Sequence, residues 1–253
     1  GQTIKTTVFY FPGCGSERVF SNISMASLYL LLDDQVRVIL PPPYRCCGYP
    51  FQVNAKKALY NTVVVENSIM FSRIREMFSD LSFDACLVSC GTCMEALEKL
   101  DADRVFGSRV TDISNYMIDQ GIDFKLSEPY LYHEPCHDSL RHNAPDLLNS
   151  FAVDQPVRPV PFCCSEAGTL ALSRPDISHA MLDRKKHAIE TLKPVQGQKI
   201  LTNCPSCLQG LGRLESSGIR PVHLAEELAV VTGGKEWKSK LIRYLDDFEI
   251  VPF

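Results

Sequence analysis

Ten of the eleven cysteines in this chain of 253 residues fall into two copies of one pattern. Each copy has a single cysteine, then two adjacent cysteines, then a C-x-x-C motif. Corresponding cysteines lie 122, 117 and 114 residues apart. The first set is Cys14, Cys46, Cys47, Cys90 and Cys93, and the second set is Cys136, Cys163, Cys164, Cys204 and Cys207. The pattern predicts an internal duplication.

The cysteines do not have the pattern of a disulfide framework. Adjacent cysteines rarely bond to each other, because the small ring strains the disulfide geometry. The count is odd, and the N-terminus lacks the signal-peptide pattern of basic, apolar and small-residue segments. In a reducing compartment, clustered thiols more often serve metal or redox chemistry. We therefore expect a cytoplasmic protein, in which partners could provide a peripheral contact with a membrane.

Charge and hydropathy exclude two other classes of partner. The net charge is −4 and the isoelectric point is near 5.9, and no dense cluster of Lys and Arg is present. A surface for nucleic acid or for anionic membranes is therefore not expected. No apolar run approaches the roughly 20 residues that are needed to span a bilayer, so we predict no membrane span.

Short β-type runs precede the cysteine groups. Strands are predicted at residues 6–12, 36–40 and 84–89 of the first half, and at 129–135, 157–162 and 198–203 of the second. Apolar residues at helical spacing follow in each half, from Leu59 to Met77 and from Ile177 to Leu192. Each half is predicted to close with a strand and a helix, in residues 109–119 and 220–231.

Strands that alternate with helices predict a parallel sheet with helical crossovers. The predicted fold is α/β, with two similar Rossmann-like parallel-sheet units related by pseudo-twofold symmetry. The units comprise residues 1–122 and 123–253, and residues 119–128 form the predicted linker. Because open α/β sheets bind ligands beyond the carboxyl ends of their strands, the three cysteine groups of each unit should converge there.

Five thiols at one place exceed the needs of a structural zinc site, which takes four N or S ligands. Iron–sulfur clusters are also held by Cys thiolates, normally four. A fifth cysteine and an adjacent pair suggest a cluster that is not a simple cube. The ligand count thus favours iron–sulfur over zinc, and zinc stays open as an alternative at one site.

The sequence resembles the cysteine-rich CCG family from Cys14 to about Leu228. The phrases PPPYRCCGYPF, LVSCGTC, YHEPCH, SEAGTLALSRPDIS and ILTNCPSCLQGLGR carry the resemblance. It is similar to the B subunit of heterodisulfide reductase and to the C-terminal CCG region of FAD-linked iron–sulfur oxidases. One departure is that the second motif reads Cys-Cys-Ser, with the nearest glycine at Gly168.

The resemblance implies that each set of five cysteines holds a noncubane 4Fe–4S cluster. It also implies an iron–sulfur oxidoreductase subunit or domain that transfers electrons within a flavin-containing complex. The chain has neither a dinucleotide-binding glycine motif nor the closely spaced cysteines of a ferredoxin. Flavin- and ferredoxin-type iron–sulfur subunits or domains are therefore the expected partners.

Two alternative functions remain open from the sequence. One is a heterodisulfide-type reductase that acts on a small thiol or disulfide, and the other is a non-redox zinc module that assembles other subunits. His137 and Glu134 are the candidate proton donors beside Cys136, and Glu166 is a weaker one.

Several residues are expected to have no direct chemical role. Cys86 is predicted to be a buried inert thiol, and His133 is predicted to be buried in its strand. His142, His179, His187 and His223 are expected to be structural or exposed. Residues 233–240 are expected to form a solvated tail, with a contact to another subunit as a further option.

Overall fold

The architecture was obtained from a computed structural model, which describes residues 4–166 and 169–247. The first half contains four strands, β1 (Thr6–Phe11), β2 (Val36–Ile39), β3 (Ala85–Val88) and β4 (Arg109–Asp112). Its helices are α1 (Ser21–Asp33), α2 (Tyr49–Val53), α3 (Lys57–Met77), α4 (Gly91–Lys99), α5 (Ala102–Phe106) and α6 (Ile113–Asp119). A π-helical turn, Gly15–Val19, precedes α1.

The second half repeats this order. Its strands are β5 (Leu131–Tyr132), β6 (Arg158–Pro159), β7 (Gln198–Thr202) and β8 (Ile219–His223). Its helices are α7 (Ala144–Asn149), α8 (Leu170–Ser173), α9 (Pro175–Thr191), α10 (Pro205–Gly212), α11 (Leu224–Gly233) and α12 (Trp237–Asp247). Short 3₁₀ turns, Glu215–Ser217 and Gly234–Glu236, flank β8 and α11.

The two sheets share one topology. The strand orders are β2-β1-β3-β4 and β6-β5-β7-β8, and all the pairs are parallel. This confirms the predicted α/β fold with two Rossmann-like units. Each sheet lies within one predicted unit, and the boundary between residues 122 and 123 stays a prediction.

The second sheet is shorter at one edge than its sequence pattern predicts. β5 and β6 have two residues each, although the runs 129–135 and 157–162 have β-type composition. Pro135, Pro159 and Pro161 lie in these runs. Because proline has no N–H to donate to a ladder, such runs form few strand pairs.

The predicted linker, 119–128, is packed rather than free. Phe124 stacks on Phe151 with ring centroids 4.1 Å apart, and Leu126 is fully buried. The Leu126 N–H donates to the Phe151 carbonyl at 2.9 Å, and the Val153 N–H donates to the Leu126 carbonyl at 3.1 Å. These apolar side chains gain more from burial than from forming a solvated connection.

The expectation of a solvated tail at residues 233–240 is wrong for Trp237, although Gly234–Glu236 are exposed. Trp237 begins α12 and is only 5% exposed. Its ring lies 6.0 Å from that of Tyr29 in α1, and the ring of Tyr244 stacks on that of Tyr29 at 6.2 Å. Helices α11 and α12 of the second half thus pack on α1 of the first, and the halves share two apolar clusters. Among the described residues, no helix combines the length and apolar character that crossing a bilayer requires.

Candidate metal centre

The cysteines of each set follow the carboxyl ends of three parallel strands, as predicted. Cys14 follows β1, the pair Cys46 and Cys47 follows β2, and Cys90 precedes α4 directly after β3. The second set follows β5, β6 and β7 in the same way, with Cys204 directly before α10. The topology therefore gathers residues that are far apart in sequence.

The five sulfurs of the first set form a chain of neighbours. The sulfurs of Cys14 and Cys46 lie 3.8 Å apart. Cys46 contacts Cys47, which contacts Cys93, and Cys93 contacts Cys90. This series of sulfurs leads from the surface to the interior, because Cys14 is half-buried whereas Cys90 and Cys93 are buried.

The second set repeats this order. The sulfurs of Cys136 and Cys163 lie 3.7 Å apart, and those of Cys164 and Cys207 lie 3.2 Å apart. Cys163 contacts Cys164, and Cys207 contacts Cys204. Cys136 is exposed at the outer end, and Cys204 is buried at the inner end.

The two sets come together at their inner ends, where the buried thiols of Cys90 and Cys204 interact electrostatically. This interaction is the main reason why the pKa of Cys90 lies well below its usual value. Ten sulfurs thus form one continuous series of interacting neighbours from Cys14 to Cys136, which we call the sulfur path.

Reciprocal backbone contacts hold the two halves together around the sulfur path. A Cβ added at Gly91 would lie 1.7 Å from the carbonyl oxygen of His137, and one added at Gly15 would lie 2.8 Å from Cβ of Pro205. Each pair joins the residue after the first cysteine of one set to the residue within the C-x-x-C motif of the other. The contacts therefore follow the predicted pseudo-twofold symmetry.

The first cysteine of each adjacent pair is the most acidic thiol near the protein surface. Hydrogen bonds from Cys14 and Cys47 lower the pKa of Cys46 to about 3. Hydrogen bonds from Cys136 and Cys164 lower the pKa of Cys163 to about 2. Cys46 and Cys163 are therefore held as thiolates, which are the form that binds metals, whereas the pKa values of their donors Cys14 and Cys136 are raised.

The Cys-Cys-Ser departure preserves the local geometry. Gly48 has φ +91° and Ser165 has φ +66°, so both adopt the left-handed conformation. Their amides donate to the sulfurs of Cys46 and Cys163, at 3.4 and 3.3 Å. Serine strains this conformation by about 1 kcal/mol, and its hydroxyl lies 3.2 Å from that of Ser178. Gly168 lies outside the described residues.

His137 bridges two residues of the first half that the sequence analysis did not single out. Its Nδ1 lies 2.5 Å from Oε1 of Glu95, and its Nε2 lies 2.8 Å from the hydroxyl of Tyr49. Burial, followed by the nearby Glu95 and cysteines of both sets, raises the pKa of Tyr49. The positions of Tyr49 directly after Cys-Cys-Gly and of Glu95 two residues after Cys93 could have indicated this group.

Glu134 lies in a different environment from His137. It is exposed, and its Oε1 lies 2.5 Å from Nδ1 of His142. Glu134 and His142 line a cavity of about 430 Å³ together with Cys136, Phe162 and Cys163. The structure therefore places the two predicted proton donors in separate hydrogen-bonded groups, with Glu134 beside the open end of the second set.

The remaining candidates have structural partners. Glu166 lies 2.7 Å from Arg213 in a largely buried ion pair, so it is not a free proton donor. Cys86 is fully buried in β3 and outside the sulfur path, and burial raises its pKa to about 12. This confirms its prediction as a buried thiol. His223 caps α11 and lies 3.1 Å from the Ser89 carbonyl, which confirms a structural role.

The residues present fit a thiolate-bound iron–sulfur group. All ten cysteines are free thiols, and each set offers five of these soft donors, one more than tetrahedral zinc takes. Gly13 adds a further sign of close packing, because a Cβ there would lie 2.7 Å from the sulfur of Cys93. The sites thus have both the donors and the close backbone approach that a cluster needs.

Comparison with known proteins agrees with this geometry. The sequence profile of the CCG cysteine-rich domain matches residues 8–98 and 130–212, which together make up more than half of the chain. The chain belongs to the cysteine-rich (CCG) domain family. The two matched segments correspond to the two halves, and the resemblance predicted from the sequence is confirmed.

The relatives of this CCG protein include iron–sulfur proteins from archaea and bacteria. An uncharacterized iron–sulfur protein of Methanococcus maripaludis is 25% identical over 213 residues, covering 80% of this chain and 40% of that protein. A "probable glycolate oxidase iron-sulfur subunit" of Bacillus subtilis is 26% identical, covering 92% of this chain and 56% of that protein. Lactate utilization protein A of an Exiguobacterium strain is 24% identical, covering 87% and 96%.

The CCG protein thus spans about half the length of the first two of these relatives, and nearly the whole length of the third. The relatives support an iron–sulfur protein of the oxidoreductase type.

Proposed function

We propose that the CCG protein is an electron-transferring iron–sulfur unit of a flavin-containing oxidoreductase, with one noncubane 4Fe–4S cluster in each cysteine set. The sulfur path is the observation that carries this proposal. Its middle, Cys90 and Cys204, is buried, while Cys136 at one end is exposed. A buried connection between two sites, open towards the surface, suits entry of electrons at one set and exit at the other.

The ligand assignment follows the two sets. Bound clusters would supply one-electron redox chemistry. The protein would hold the clusters and exclude water from them. The first set would provide Cys14, Cys46, Cys47, Cys90 and Cys93, and the second Cys136, Cys163, Cys164, Cys204 and Cys207. Because Cys90 and Cys204 interact at the inner ends of the two sets, the two clusters would be close neighbours.

Partners with a flavin and with ferredoxin-type clusters complete the proposal. The names of two relatives refer to glycolate oxidation and lactate utilization, which supports a role in oxidising a 2-hydroxy acid. These 253 residues contain no sequence motif for binding a flavin or a dinucleotide. Other subunits, or other domains of a longer chain, would therefore bind the organic substrate. They would also provide any peripheral contact with a membrane.

Metal analysis of protein that has never been exposed to air tests this function. Two four-iron clusters correspond to about eight iron and about eight acid-labile sulfide per chain. Stoichiometric zinc without sulfide would refute the iron–sulfur assignment and favour the zinc assembly module. Aerobic protein is not a suitable sample, because oxidation of thiolates and clusters would remove the iron.

A heterodisulfide-type reductase is the second candidate function, and the cavity beside Cys136 and Cys163 favours it. Its volume of about 430 Å³ is suitable for a small thiol or disulfide. Glu134 lines the cavity. His137, which joins Glu95 to Tyr49, is one residue from Cys136 and would provide a route for a proton.

The reductase is tested with His137→Ala in anaerobic protein that contains both clusters. Slower reduction of a small disulfide with unchanged iron content would support a role for His137. The matched control is His187→Ala, because His187 is exposed on α9. Disulfide reduction that is equal in both variants and in the wild type would exclude His137 from the reaction.

A further inference from the structure

The two halves differ at two buried positions beside their cysteine sets. Phe11 and His133 each lie three residues before the first cysteine of a set, and both are buried. Asn67 and Lys185 are each the eleventh residue of a long helix, α3 and α9, and are 1% and 0% exposed. The first half thus has phenylalanine and asparagine where the second half has histidine and lysine.

Lys185 is bound to the loop that leads into the second adjacent pair. Its Nζ donates to the carbonyl oxygens of Val160, Pro161 and Phe162, at 2.8, 2.9 and 3.1 Å. These partners are neutral dipoles, so they orient the ammonium group without cancelling its charge. A fully buried lysine is rare unless something nearby compensates the charge.

The groups that compensate this charge are cysteines of the second set in their thiolate form, which is the form favoured at Cys163. Burial lowers the pKa of Lys185 to about 8, whereas Cys164, Cys207, Cys163 and Cys136 oppose this shift. The side chain is therefore an ammonium group at neutral pH. Its charge interacts with four of the five cysteines of the second set, and charges interact more strongly in a poorly solvated interior than in water.

His133 extends this polar arrangement to the sulfurs. Its Nδ1 lies 2.9 Å from Nζ of Lys185, and because an ammonium group can only donate, Nδ1 is the acceptor. Burial is the main reason why the pKa of His133 falls to about 3, so the ring is neutral and its proton lies on Nε2.

The Nε2–H of His133 is buried and has no hydrogen-bond acceptor among the residues that the structure describes. One ring nitrogen of His133 and the sulfurs of Cys164 and Cys207 all lie within 4.8 Å of one another. A buried N–H without a protein acceptor is costly. Sulfur atoms at the second site are the nearby groups that could accept it.

The first half has no charge at the matching positions. Phe11 contributes a buried ring that packs against Phe71. The side-chain amide of Asn67 donates to the carbonyl oxygen of Cys46 at 3.0 Å, so it fixes the loop as Lys185 does but carries no charge. The two cysteine sets are therefore alike in ligands and unlike in electrostatic surroundings.

We propose that Lys185 and His133 make the second cysteine set the more readily reduced of the two. An electron that a reduced flavin or ferredoxin-type partner supplies would then settle beside Cys136 and Cys163, at the cavity that opens there. Fixed positive charge and N–H donors stabilise the more negative, reduced form of a thiolate-bound cluster and so raise its potential. This inference rests on the proposed iron–sulfur function.

The test is a redox titration of anaerobic, cluster-containing protein, monitored by electron paramagnetic resonance. The signal of the second site is the one that Cys164→Ser removes. Lys185→Gln removes the charge but keeps a donor of similar length, and Lys186→Gln is the matched control. Lys186 is the next residue on α9, and its side chain is 45% exposed.

In Lys185→Gln, we expect the electron distribution between the sites to change at least tenfold towards the first site. For one electron this corresponds to about 59 mV. His133→Phe introduces the residue type of the matching position, Phe11, while the contacts of Lys185 with the backbone carbonyls stay in place. It should shift the electron distribution in the same direction. Lys186→Gln should leave both potentials unchanged.

Several results would overturn the inference. Equal potentials for Lys185→Gln, His133→Phe and wild type would exclude tuning, as would the same shift in Lys186→Gln. Loss of iron from the second site in both Lys185→Gln and His133→Phe would show that these residues only support the loop. Wild-type protein without iron and sulfide would instead refute the proposed function, so the two failures are distinguishable.

Discussion

Gly91→Ala tests whether the close contact between the two halves organises the site. Gly91 begins α4 between Cys90 and Cys93, and its Cβ would lie 1.7 Å from the carbonyl oxygen of His137. Ordinary contact begins near 3.4 Å, so the two backbones would have to separate by roughly 1.7 Å. A backbone carbonyl cannot rotate away as a flexible side chain can.

The expected cost follows from two opposing effects. Overpacking typically costs about 1–3 kcal/mol, occasionally more, and the size of this overlap places the cost at the upper end. Alanine is a better helix former than glycine by about 1 kcal/mol, and this offsets part of it. We expect a net loss of about 2 kcal/mol in the free energy of unfolding. We also expect weaker binding of iron by the first cysteine set.

Gly212→Ala is the matched control, because Gly212 ends α10 and a Cβ there meets no atom within 4 Å. Urea unfolding followed by circular dichroism would measure both variants. With a slope near 3 kcal/mol/M, Gly91→Ala should lower the midpoint by about 0.7 M. Iron content provides a second readout. Equal midpoints and equal iron content in the two variants would refute the close-contact argument.

Three further predictions concern the core, the separation of the sites and pH. Trp237→Ala should destabilise the protein by about 3–5 kcal/mol through loss of a buried aromatic ring, whereas Ile242→Ala in the same helix, which is 56% exposed, should have little effect in the same urea assay. Cys47→Ser and Cys164→Ser should each remove about half of the iron, and loss of all iron from either would indicate one shared site. Burial raises the pKa of Asp112 to about 6 from a usual 3.8, so the folded state binds this proton more tightly than the unfolded state. The stability of wild type relative to Asp112→Asn should therefore increase as the pH falls from 7 to 4, and a pH-independent difference would contradict this.

The duplicated topology was predictable because strand-forming runs and cysteine groups alternate in both halves. The packing of the second half's ends was not. The run GGKEWKSK is polar except for Trp237, and only the position of α1 provides the apolar surface that buries this side chain. Tertiary contact, rather than local propensity, decides the structure of such segments.

The convergence of the cysteine groups at the strand ends was predictable, whereas the surroundings of the candidate site were only partly so. Tyr49, Glu95 and His137 come from three separate segments, so their hydrogen bonds depend on how the halves dock. Lys185 is followed by Lys186, and the two look equivalent in the sequence. The signal that separates them is spacing, because Lys185 shares a helical face with the buried residues Leu182 and Ile189.

The duplication explains how one chain can hold two similar donor sets with different properties. The ends of the strands and the starts of the helices fix the positions of the cysteines. Because the two halves have equivalent topology, the equivalent residues Cys90 and Cys204 lie near each other at the pseudo-twofold axis. The flanking residues are not fixed in this way, and a change such as phenylalanine to histidine alters the field without moving a ligand. Two identical sites in contact would share an electron equally, whereas unequal neighbours give the shared electron a preferred side. The asymmetry at His133 and Lys185 lies in the half whose outermost cysteine, Cys136, is exposed beside a cavity. Under the proposed function, the direction of electron flow would thus arise from second-half side chains that lie outside the two cysteine sets.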